Sequence, residues 1–165
     1  PKKFDILIEL LNKVLRGKYY NLEIGENIIS YLELNGKLKE ATSVLINYIQ
    51  NIEEPVLSGS SPTSPIGDSH IEYIAQVRPI LITIEALGKM KTVEAVPVLI
   101  EALNRYSETP MADTYFHSEI RKASAIALGK ISTPEATKAL KERLNIEKNE
   151  QVKTKIDIVL TSGSQ

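Results

Sequence analysis

Chemistry has few places to start in this chain. Its 165 residues include two histidines and no cysteine, and each histidine stands among carboxylates: Asp68, His70 and Glu72 in one stretch, Asp113, His117 and Glu119 in the other. One imidazole and two carboxylates make a donor set that zinc accepts. Both groups, however, fall where a polar loop gives way to an apolar-periodic segment. There Asp, Ser and Glu already serve as caps and dipole partners of a helix start, and Ser69 or Ser118 would cap equally well. The expectation is no metal and no cofactor. Covalent and nucleotide chemistry fail on inventory, for the chain has no thiol, no G-x-S-x-G, no Walker loop, no dinucleotide glycine fingerprint and no H-E-x-x-H. No catalytic residue is assigned.

Charge excludes further classes. A net charge of −1 lacks the basic surplus that displaces counterions from a phosphate backbone, so no nucleic-acid partner is expected. The basic run Lys138, Lys141, Arg143, Lys148, Lys153 and Lys155 is interleaved with Glu135, Glu142, Glu147 and Glu150. At that spacing it reads as paired surface charge worth tenths of a kcal/mol per pair. The longest apolar runs, such as Ile80–Ile84, are far too short for a bilayer, so no membrane partner is expected. The lack of cysteine fits the cytoplasm, with the periplasm also open. Pro1 stands where an initiator Met would, which leaves residues upstream open.

These residues must be positioned by elements, and the elements repeat. Residues 86–104 (ALGKMKTVEAVPVLIEALN) and 127–145 (ALGKISTPEATKALKERLN), 41 positions apart, are identical at eleven of nineteen places. Such a period marks stacked helical units. Within a unit, Ile120, Ser124, Ala127 and Leu128 recur at helical spacing, and Gly129-Lys130-Ile131 is expected to break that helix. Thr133-Pro134-Glu135 opens the next helix, with Thr as cap and Pro in the first turn. Its buried stripe is Ala136, Ala139, Leu140 and Leu144. The preceding copy places Pro79 where a helix must start or kink. Residues 32–50 form a weaker copy, 7–12 nearly repeat 99–104, and 150–160 echo 118–128.

The spacing predicts one domain over 1–165. It comprises an orphan helix at 4–15, helix hairpins at 22–51, 71–106 and 117–146, a terminal helix at 149–161, and a mobile Ser/Pro/Gly-rich connection at 52–70. No segment shows sustained strand alternation.

The pattern Ile120-Arg121…Ala123…Ala127-Leu128-Gly129-Lys130-Ile131, followed by Glu135-Ala136…Ala139-Leu140…Leu144, resembles the HEAT repeat family, particularly the short bacterial HEAT-like repeats of phycobilin-lyase type. The resemblance covers about 71–160 well and 4–50 loosely. It implies an all-α, right-handed α-α superhelix of about three hairpins with a half repeat at each end. It also implies a non-catalytic scaffold or adaptor for a protein or peptide, with a bilin lyase or lyase subunit and a purely structural solenoid segment as alternatives. Iron binding of the deoxyhypusine hydroxylase kind, which uses adjacent His-Glu pairs, is not implied, because neither histidine here is followed by Glu. The family's inter-repeat Asp–Arg tie would pair Asp113 with Arg121 and Asp68 with Arg78.

Two surfaces are candidates for that partner. Three connections between hairpins are long, and two of them carry aromatics, Tyr19-Tyr20 and Tyr115-Phe116. Tyrosine offers area and a hydroxyl with few rotors, and these residues also suit ordinary packing onto the previous hairpin. Aligned second helices put Glu9, Asn47, Glu101 and Glu142 in one column, and Asn12, Gln50, Asn104 and Asn145 in the next. By resemblance this is a concave ridge of carboxylates beside amides. The bland alternatives are a solvated face and amides serving helix ends. Residues 149–161 have one polar and one apolar face, as a cap requires. Residues 4–15 are more apolar than one face can bury, which predicts a neighbour, either upstream chain or a second copy.

Overall fold

The computed structural model describes residues 2–16, 22–51, 77–104 and 115–162. Every regular element among them is helical. In chain order these are α1 (Lys2–Arg16), α2 (Leu22–Leu34), α3 (Thr42–Gln50), α4 (Arg78–Met90), α5 (Val96–Asn104), α6 (Tyr115–Ile131), α7 (Pro134–Ile146) and α8 (Glu150–Ser162). Single 3-10 turns, Leu38–Ala41 and Val93–Ala95, lead into α3 and α5. The fold is all-α and solenoid-like. Contacts divide the chain into two compact units, residues 1–82 and 83–165, with the division inside α4.

In the first unit α1 packs on α2 and α3. Leu11, Leu15, Ile28, Ile29, Leu32, Leu45 and Ile49 form its core, following the 3.6-residue period. Phe4 lies 6.3 Å from the ring of Tyr31, whose hydroxyl accepts a hydrogen bond from Lys3 at 2.7 Å. At the start of α4, where Pro79 occupies the first turn, Arg78 meets Glu26 of α2 at 3.0 Å. The excess of apolar residues on α1 is visible: Ile6 and Leu10 remain 64 % and 40 % exposed.

The second unit follows the repeat closely. The helix α6 packs on α5, α7 and α8, and α5 and α8 also meet α7. Each helix thus touches neighbours one or two steps along the chain, as in a repeat stack. The predicted stripe of α6 (Ile120, Ser124, Ala127, Leu128) is buried, and so are Val98, Leu99 and Leu103 of α5. In α7 Ala136 and Leu140 are buried, while Ala139 and Leu144 are half-buried. The terminal helix α8 turns Val152 and Ile156 inward and Glu150, Lys153 and Asp157 outward.

The glycines do not break their helices. Gly88 and Gly129 lie inside α4 and α6. The chain turns instead at Lys91 (φ 51°) and Ser132 (φ 58°), whose N–H groups donate to the carbonyls of Gly88 (3.2 Å) and Leu128 (2.9 Å). What both glycines supply is clearance. A Cβ on Gly88 would lie 2.8 Å from Cα and Cβ of Ala127, and one on Gly129 would lie 2.1 Å from Cγ1 of Val159. The 3-10 turns mark a second departure from a uniform helix start. Thr133 accepts from the Ala136 N–H at 3.1 Å and α7 starts at once on Pro134. The hydroxyl of Thr92 is taken instead by the Glu94 carboxylate, makes no cap, and the chain passes through Val93–Ala95 before α5 begins. Replacing Thr133 by Ala is therefore expected to cost about 1 kcal/mol in urea unfolding, and Thr92→Ala clearly less.

Candidate functional site

The second helices of the repeat carry the candidate surface. Glu101 and Asn104 on α5, and Glu142 and Asn145 on α7, are all exposed, one helical turn apart on each helix. Nothing in core packing calls for these residue types, and the two copies share them. Beside α7 lies an open depression of about 600 Å³, bounded by Ser132 and Pro134 at the turn and by Thr137, Lys138, Lys141, Glu142 and Asn145 along the helix. Its charge is mixed, since Lys138 approaches Glu142 to 3.8 Å. The expected carboxylate ridge is thus tempered by lysine on α7. What this surface offers is hydrogen bonding to both signs of partner.

The same column behaves differently in the first unit. Glu9 forms an exposed pair with Lys13 at 2.8 Å, and that hydrogen bond holds the Glu9 carboxyl below the usual carboxylate range. Asn47 is exposed on α3, but Asn51 donates to both its backbone carbonyl (2.7 Å) and its side-chain oxygen. That amide is engaged at its own helix end. The loop-edge aromatics receive no such description. Tyr19 and Tyr20 lie outside the described residues, as does the connection 52–70, and Tyr115 and Phe116 open α6 with side chains outside that set. Of the histidine groups, Asp68, His70, Glu72 and Asp113 also lie outside it. His117 sits in the first turn of α6, Ser118 is buried within that helix rather than capping it, and Glu119 pairs with Lys122. Among the described residues no three His, Cys, Asp or Glu side chains group as a metal would need. No described helix is long and apolar enough to cross a membrane.

One cluster corrects the sequence reading. Arg143 and Glu147, taken above as surface charge, are buried, and they share the interior with Arg121, whose side chain is 1 % exposed. Glu147 accepts from Arg121 at 3.0 and 3.3 Å and from Arg143 at 2.9 and 2.7 Å. Its Oε1 also accepts the N–H groups of Lys148 (3.1 Å) and Asn149 (2.9 Å). Burial alone would raise this carboxyl. The Asn149 N–H, the Arg143 hydrogen bond and both guanidinium charges outweigh it and hold the group below its ordinary value. Arg121 is a structural tie, as expected, but its described carboxylate is Glu147 from the connection between α7 and α8; Asp113 lies outside the described residues. Likewise Arg78 ties to Glu26, and Asp68 is not described. The missed signal was the register: position 143 aligns with Ala102, a core residue of the other copy. The cluster clamps the end of α7, which carries Asn145, to α6 and to the start of α8, where Asn149 caps by accepting from Gln151 and Val152.

Residues 81–160, a little under half the chain, match the family described as HEAT repeats. These residues are HEAT repeats. The match runs from within α4 to within α8 and takes in both near-identical copies. No curated protein and no solved structure matches the chain. The HEAT assignment accounts for the small residues between first helices and for the short turns. It does not by itself call for the exposed Glu and Asn pairs of α5 and α7.

Proposed function

We propose that this chain is a non-catalytic scaffold that holds an extended protein or peptide segment against the second helices of its HEAT repeats. The observation that carries this reading is the repeated, exposed Glu–Asn pair, Glu101 with Asn104 and Glu142 with Asn145, on two helices that pack side by side. Identity between copies at buried positions follows from packing; identity at solvated ones needs another reason. Carboxylate and amide side chains together recognise backbone amides and basic or amide side chains. The lysines beside α7 limit any purely acidic preference.

The test is a peptide array of mixed sequence probed with the intact chain and with a variant carrying Ala at Glu101, Asn104, Glu142 and Asn145. Hydrogen bonds to charged groups are worth about 1.5–3 kcal/mol, so retained peptides should lose at least about tenfold in affinity while the thermal transition stays in place. A second variant, with Ala at Tyr19, Tyr20, Tyr115 and Phe116, reads the aromatic edge separately. Binding unchanged by the first variant and lost in the second would move the site to that edge. An array that retains no peptide would overturn the scaffold reading in favour of a structural segment.

A further inference from the structure

We draw no further inference here: the strongest candidate, the exposed apolar edge of α1 formed by Ile6 and Leu10, carries nothing, because nothing in the structure shows what covers it.

Discussion

Replacing Glu147 by Ala is expected to destabilise the second unit by about 3–5 kcal/mol, the range for breaking a buried ion pair from one side. The substitution strands Arg121 and Arg143 inside the protein without their shared carboxylate, and it strips the Lys148 and Asn149 N–H groups of their acceptor. The loss should far exceed that of Glu142→Ala, whose carboxylate sits 3.8 Å from Lys138 and largely in water. A combined Arg121→Met, Glu147→Leu, Arg143→Met variant should recover part of that loss, since the two guanidinium groups and their shared carboxylate leave the interior together. The acid response follows from the same contacts. With the folded carboxyl held below its ordinary 4.5, the unfolded chain takes the proton more readily. The contribution is therefore complete above about pH 4.5 and drains away as the pH falls through the lower folded value. Urea unfolding at pH 7 and at pH 3 should show a smaller gap between wild type and Glu147→Gln at the acid end. An equal gap at both, or a loss under about 1 kcal/mol for Glu147→Ala, would show that the carboxylate does not carry the cluster.

Why the sequence disclosed one part of this and not the other is a matter of range. The 41-residue period, the buried stripes and the Thr133-Pro134 start are local patterns, and a helix obeys its local pattern when the apolar face is clear. Arg143 and Glu147 obey a local pattern too, since charges four apart on a helix ordinarily lie in water. Their burial depends on Arg121, 26 residues before Glu147 in the chain, and no local rule brings that partner in. Gly129 illustrates a different ambiguity. A glycine near a helix end is a fair stop signal, but the same missing side chain also lets two helices touch. The choice is made by Val159 on another helix. The candidate surface was legible as columns of Glu and Asn because the repeat itself aligns them. Its lysine neighbours were legible as residues, yet their approach to Glu142 is tertiary geometry. The aromatic edge rests on residues 19, 20, 115 and 116, whose side chains are not described, and it stands as read from sequence.

The glycine contacts yield the second large effect. In a helix interior Gly→Ala is favourable by up to about 1 kcal/mol when nothing opposes it. At Gly88 the new methyl would sit 2.8 Å from the Cα of Ala127, a backbone atom that no side-chain rotation can move. Helices α4 and α6 must separate, and overpacking of this kind costs about 1–3 kcal/mol. A net loss is expected, and Ala127→Gly should relieve it only in part, because the Cα remains. At Gly129 the obstacle is a Val159 methyl at 2.1 Å. Gly129→Ala should also destabilise, but Val159→Ala in the same chain should recover much of that loss. The cycle built from these variants should give a coupling energy of about 1 kcal/mol or more, against near additivity for Gly129→Ala with a distant change such as Glu150→Ala. The contrast between the two glycines is the decisive reading. Equal rescue at both would mean that side chains, not backbone, set the approach of α4 to α6. Stabilisation by Gly129→Ala alone would mean that α6 and α8 lie farther apart than these contacts require.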